Sequence, residues 1–146
     1  MYNSRNIADL DPQARAVAEK HIFACSAAGI DIIVTSTWRD SEKQNALYSI
    51  GRTPGDKRRC VTYAKGGQSW HQYRCAWDVV PVLGGKCVWD DPAIWDCVIS
   101  IGETVGAEAG ARWSSFPDLP HFQYVPPGVP VEIAMEWFNA TGSVFV

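Results

Sequence analysis

Any fold this chain adopts must bring together two short segments about forty residues apart. The first runs from Ser69 to Pro81 and carries His71 and, seven positions later, Asp78 at the start of an apolar Val79-Val80 run. The second, Asp118-Leu119-Pro120-His121-Phe122-Gln123, carries a carboxylate and, three positions later, another histidine. Two imidazoles and one carboxylate form a three-ligand set for Zn²⁺ that leaves the fourth tetrahedral position to water. His71, Asp78 and His121 are the candidate ligands, and Asp118 is the spare acid available to handle protons. Read as a strand, Arg74 to Val80 alternates in facing, so Ala76 shares a face with Asp78 and leaves room for an ion. Cys75, Trp77 and Val79 face the opposite layer.

The same residues carry a resemblance. Ser69-x-His71-x4-Ala76-x-Asp78, followed by Asp118-x-Pro120-His121-Phe122-Gln123, is similar to the zinc peptidases that cut peptidoglycan stem peptides. That group holds the L-alanyl-D-glutamate endopeptidases of phage endolysins and the D-alanyl-D-alanine carboxypeptidases, within the superfamily that includes the Sonic hedgehog fold. Gly29 to Arg39, Gln44 to Tyr48 and Gly51-Arg52-Thr53 also resemble its N-terminal pattern. The resemblance implies an α+β fold, a small central antiparallel sheet carrying the zinc site with helices packed around it. It also implies one Zn²⁺ per chain on His71, Asp78 and His121, with Asp118 as general base.

Arg39 and Gln44 lie five residues apart, at the expected end of a strand and start of a helix. Chemistry alone leaves open whether they line a cleft or sit on the surface. The resemblance implies substrate and transition-state contacts, for which a guanidinium fork suits a carboxylate or an oxyanion. Ser69 can bind substrate, orient His71 or serve as a plain turn serine. Arg74 departs from the related sequences, which carry glycine there, and is expected to bring bulk and charge towards the metal. Carboxypeptidase relatives use Glu as the proton-handling residue, with an aromatic just before the metal histidine. Asp118-x-Pro120-His121 is closer to the endopeptidase branch, which points to cleavage between L-Ala and D-Glu, with the carboxypeptidase as the alternative. Two rivals stand beside these: a non-catalytic zinc module, which has no need of Asp118, and a thiol enzyme using Cys75 beside His71.

The elements can be placed in order. Asp11 and Pro12 start a helix with Ala14, Val17, Ala18, His21, Ile22 and Cys25 on one stripe, ending near Gly29. His21 is expected to be a satisfied helix histidine. Ile30 to Ser36 is a β-branched strand; Ser41 to Ile50 is helical; Thr53 to Gly67 is a long binding loop or lid. Gly84-Gly85 makes a hairpin turn, and Asp91-Pro92 opens a third helix. His121, Gln123 and Val125 alternate as a strand ended by Pro126-Pro127. Val131, Ala134, Met135 and Phe138 mark the last helix. Most of the seven tryptophans, Trp89 and Trp95 among them, are expected in the core. Glu108 is expected to be solvated rather than in the cleft.

At 146 residues the chain fits a single peptidase domain, without a separate wall-binding domain. A net charge of −3 and a short basic run, Lys57 to Arg59, exclude an electrostatic nucleic-acid binder. The five cysteines include no Cys-x-x-Cys pair and are expected to be reduced and mostly buried, with Cys87–Cys97 or Cys60–Cys75 the only pairings considered. No apolar signal core opens the chain and no membrane-length apolar run follows. The expectation is a monomer without stable membrane association, made in the bacterial cytosol and acting on peptidoglycan after release through a separate pore, as endolysins do.

Overall fold

The computed structural model describes Met1–Val146. Helix α1 (Pro12–Ala27) begins where Asp11 accepts from the Gln13 N–H and Pro12 occupies the first turn. Its buried residues Ala14, Val17, Ala18, His21 and Cys25 follow the three-and-four spacing. Gly29, at φ +81°, then turns the chain into strand β1 (Asp31–Ser36). Helix α2 (Ser41–Ser49) is capped by Asp40, and no regular element follows until a 3-10 turn at Trp70–Tyr73.

Strand β2 (Ala76–Leu83) is the centre of the sheet. It pairs antiparallel with β1 on one edge and, on the other, with β3 (Lys86–Cys87) and β5 (His121–Gln123). Pro81, which has no N–H to give, falls on that second edge between the β5 and β3 pairings. Gly84 and Gly85, both at positive φ, close the β2–β3 hairpin. Helix α3 (Pro92–Thr104) starts at the Asp91 cap, and β4 (Glu108–Ala109) joins the far side of β5. Helix α4 (Val131–Thr141) ends the chain's regular structure. The result is an α+β fold with strand order β1-β2-β5-β4. No helix is long and apolar enough to cross a membrane.

The strand period of two divides the sheet's faces. Trp77, Val79 and Phe122 face α1 and α3 and join Ala14, Val17, Ala18, Trp95, Val98 and Ile99 in the main core. Trp77 pairs with Phe122 across β2 and β5, and their rings stack at 6.4 Å. Asp78 pairs with His121, and Ala76 with Gln123, on the other face. His21 is a core histidine, as expected: its Nε2–H donates to the Val98 carbonyl at 2.9 Å and its Nδ1 accepts from the Trp77 indole at 3.3 Å. A second, smaller cluster holds Tyr73, Cys75, Ala134 and Val144, where α4 packs on the 3-10 turn.

Several expectations fail at the surface. Trp89 is 54% exposed, stacked on the outside of the buried Trp95, and Trp77 and Trp95 are the two fully buried tryptophans. Of the α4 stripe only Ala134 is fully buried, while Met135 is exposed, because the partner cluster is small. All five cysteines are free, but only Cys25 and Cys75 are buried. The strand expected from Arg74 starts at Ala76, because Arg74 is the left-handed residue that ends the 3-10 turn (φ 62°).

One close approach fixes how α3 meets the sheet. A Cβ on Gly102 would lie 2.7 Å from Phe122 Cε1 and 3.1 Å from His21 Nε2. Neither ring has space to retreat into. Gly102→Ala should therefore destabilise the metal-free protein by about 1–3 kcal/mol in urea unfolding, the usual cost of overpacking a core. An unchanged midpoint would contradict this packing.

Candidate metal centre

The site is assembled where β1 ends. The register between β1 and β2 shifts between Val34 and Ser36, a bulge that redirects the chain just before Thr37 and Arg39. Ser69 caps the 3-10 turn, accepting from the His71 N–H at 3.4 Å while Gln72 accepts from the Ser69 N–H at 3.1 Å. This reciprocal cap holds the turn that presents His71. The His71 ring is then fixed by its Nδ1–H, which donates to the Thr37 carbonyl at 2.6 Å and leaves Nε2 aimed inward.

His121 is fixed in the opposite sense. Its Nε2–H donates to Gln123 Oε1 at 2.8 Å, so Nδ1 carries the free lone pair. His71 Nε2 lies 3.2 Å and His121 Nδ1 3.4 Å from the same oxygen, Asp78 Oδ1. One ligand atom from each of the three residues falls within 4.8 Å of the others. A tetrahedral zinc with bonds of about 2.0–2.2 Å sets its donors roughly 3.3–3.5 Å apart. The donor set, the spacing of each imidazole to Asp78 and the outward hydrogen bonds that aim them fit that ion.

The electrostatics agree. Burial alone would raise the Asp78 carboxyl, yet the charges and hydrogen bonds of His71 and His121 hold it well below the usual carboxylate range. Burial would lower His121, but Asp78 and, more weakly, Asp118 outweigh it and hold its imidazole above the ordinary value. His71 goes the other way, because its burial outweighs the pull of Asp78. Asp118 is raised by burial and by the charge of Asp78, against the opposing His121 and Arg39, and no hydrogen bond ties its carboxylate.

Arg39 reaches Asp78 Oδ2 at 3.3 Å and also donates to Asn3, Ser36 and Gln44, so all but one of its N–H donors are engaged. Gln44 is only 1% exposed and its amide is filled on both sides. Its oxygen accepts from Arg39 at 2.9 Å and from Gln72 at 3.4 Å; its nitrogen donates to the Ala64 carbonyl at 2.9 Å and Thr62 at 3.4 Å. Gln44 thus ties the guanidinium to the 51–69 loop.

His71, Asp78, His121, Asp118, Arg39, Gln44 and Ser69 all line one cavity of about 600 Å³. The 51–69 loop forms one wall, and Tyr63 meets Phe116 of the opposite wall at 4.5 Å. Trp70 and Trp113 also line it, a use of tryptophan outside the core, and Trp113 lies 4.9 Å from the His121 ring. Glu108, expected in solvent, is exposed at the rim of this cavity and accepts from the Trp113 indole at 3.0 Å.

Two expectations are corrected. Arg74 does not approach the metal site: its guanidinium stacks over Trp38 at 4.8 Å and reaches the Asp9 carbonyl at 3.4 Å. Its left-handed backbone (φ 62°) is the conformation that glycine adopts most easily. Cys75 is buried in the smaller cluster, away from the cavity, and burial, with the charge of Asp11 adding, pushes its thiol far above its usual value. A thiol enzyme is excluded on both counts.

Sequence reasoning missed three contributors. Gln123 was detectable, since it lies two residues from His121 on the same strand face. Thr37 acts through its carbonyl, which no side-chain pattern reveals. Gly110 works by having no Cβ: one placed there would lie 2.7 Å from the Asp118 carbonyl and 3.0 Å from His121 Cβ.

A buried two-histidine, one-carboxylate centre with a spare acid, on a small antiparallel sheet, defines a metal-dependent hydrolase. Family models described as D-alanyl-D-alanine carboxypeptidase match residues 62–124 and 8–88. The peptidoglycan L-alanyl-D-glutamate endopeptidase CwlK of Bacillus subtilis (strain 168) is 35% identical over 127 residues, 81% of this chain and 75% of that protein. Among solved structures, the L-Ala D-Glu endopeptidase ChiX of Serratia marcescens shares the fold with a TM-score of 0.62 at 18% identity, over 85% of this chain and 89% of that one. A zinc complex of the vancomycin-resistance D,D-pentapeptidase VanY aligns with a TM-score of 0.62 at 17% identity, over 92% and 80% of the two chains. The chain belongs to the D-alanyl-D-alanine carboxypeptidase family of metallopeptidases.

Because Asp78 and, more weakly, Asp118 raise the proton affinity of His121 in the metal-free protein, protons compete with an entering ion for that imidazole. Apparent zinc affinity should therefore rise as pH rises through the elevated His121 value and fall below it. Calorimetry in buffers of different ionisation enthalpy should read net proton release on zinc binding that grows as pH falls. Affinity independent of pH would contradict the assigned ligands.

Proposed function

We propose that this chain is a zinc-dependent peptidoglycan endopeptidase that holds one Zn²⁺ on His71, Asp78 and His121 and hydrolyses the L-alanyl-D-glutamate bond of the stem peptide. The 35% identity to an L-alanyl-D-glutamate endopeptidase over 81% of the chain carries the choice of bond. The Asp118-x-Pro120-His121 pattern agrees with it.

When bound, zinc supplies Lewis acidity and lowers the pKa of water towards about 7. The rest is done by side chains. Asp118, half-buried and free of hydrogen bonds, takes a proton from the attacking water and passes it to the leaving amine of D-Glu. Arg39, locked by Asn3, Ser36, Gln44 and Asp78, holds positive charge beside the site, where the scissile carbonyl oxygen becomes negative. Gln44 and Ser69 act on substrate through what they hold: Gln44 positions Arg39 and the loop, and Ser69 positions His71. The likeness of the Ser69–Asp78 and Asp118–Gln123 segments to phage endolysin endopeptidases supports a role in lysis, with the enzyme reaching the wall through a separate pore.

Asp118→Ala should lower kcat by about 10²–10⁴-fold, the usual contribution of a general base, while bound zinc is retained. Undiminished turnover would remove Asp118 from the mechanism. Mass spectrometry of digested sacculi should find a new amino terminus on D-Glu. Release of free D-alanine instead would establish the carboxypeptidase reading, which the description of the family models favours.

A further inference from the structure

The catalytic cavity does not end at the metal centre. A second cavity of about 560 Å³, within the size range of ligand sites, adjoins it and shares Trp70, Glu108 and Gln123 with it. Its outer wall is the 124–130 segment, which follows the end of β5 at Gln123. Pro126, Pro127 and Pro130 offer no N–H, and the Pro126 and Pro130 carbonyls already accept from the Val129 and Ala134 N–H groups. Glu108 is the one charged side chain on the lining, and no cation is present. The groove is therefore partly apolar, poor in donors and unfavourable to a carboxylate.

The wall formed by the 51–69 loop has the opposite character. Tyr63 lines the catalytic cavity, and beside it, off the lining itself, the Arg52 guanidinium lies 5.9 Å from the Tyr63 ring and the Lys65 ammonium 5.4 Å from Tyr48. A stem-peptide substrate is polarised in the same way. On the amino side of the scissile bond, L-Ala is acylated by the lactyl group of an N-acetylated amino sugar, which is neutral and rich in hydroxyl donors. On the carboxyl side, D-Glu and the residues after it bring carboxylates.

We propose that the groove along residues 124–130 is the subsite for the N-acetylmuramyl sugar, so that the substrate lies with its glycan end over Trp70 and the prolines and its acidic end towards Arg52 and Lys65. This rests on the endopeptidase reading. The sugar presents its hydroxyl and acetamido donors to the Glu108 carboxylate and an apolar ring face to the Trp70 indole. The double proline keeps that wall stiff, so little ordering accompanies binding. Sugar contacts made away from the reacting atoms then help to orient the scissile bond.

The test compares two substrates with the same stem peptide, one carrying N-acetylmuramyl on L-Ala and one carrying a simple acetyl cap. The zinc-loaded enzyme should cut the sugar-bearing one with a kcat/KM higher by about tenfold or more, and Pro127→Trp, which fills the groove, should bring that ratio towards one. Binding is read separately: N-acetylmuramyl-L-alanine added to the metal-free protein should shift the amide resonances of Val125, Gly128 and Val129. Equal cleavage of both substrates at L-Ala–D-Glu, an unchanged ratio in the variant, or no shift at those amides would overturn the subsite and leave the endopeptidase standing. Cleavage of neither substrate at that bond would overturn both.

Discussion

The pairing of Asp78 with His121 across β2 and β5 is the constraint on which the rest depends. Neighbouring strands place directly opposed side chains close together on one face. That register brings His121 Nδ1 to 3.4 Å from Asp78 Oδ1. A slip of one residue would send His121 into the core and Phe122 into the cleft. The register is protected on the other face, where Trp77 and Phe122 stack and close against α1 and α3. Packing in the core thus sets the geometry of the metal centre.

Around this pair the protein has spent its hydrogen bonds on aim. Thr37 and Gln123 each take the outward N–H of one histidine and so choose which nitrogen faces the ion. Arg39 is held by four different side chains, and Gln44 extends that grip to the loop wall. A centre whose ligands are aimed by the fold's own hydrogen bonds needs little reorganisation during reaction. Asp118 is the exception: it is half-buried but unbonded, as suits the proton-transfer role proposed for it.

Much of this was legible from the chain. The helix starts at Asp11-Pro12 and Asp91-Pro92 are local chemistry, and each cap forms as its residue types dictate. The alternation about Asp78 and His121 sorted ligands from core because a strand has period two. What escaped depends on distant partners. Trp89 reads as core but only covers Trp95, and Met135 lies on a helix whose partner cluster is too small to bury it. Arg74 looked like a cleft residue until its left-handed backbone sent it towards Trp38 and Asp9. Gly110 and the Thr37 carbonyl contribute a missing atom and a main-chain oxygen, which composition and spacing do not encode.

The central claim is that two imidazoles and one carboxylate from three separate elements converge on a single zinc ion. X-ray absorption at the zinc edge of the purified protein tests it directly. The account predicts a four-coordinate ion with two imidazole nitrogens and the remaining ligands oxygen, at about 2.0–2.2 Å, with one imidazole lost in His121→Ala. A sulfur ligand at about 2.3 Å, or a shell containing no imidazole, would contradict it.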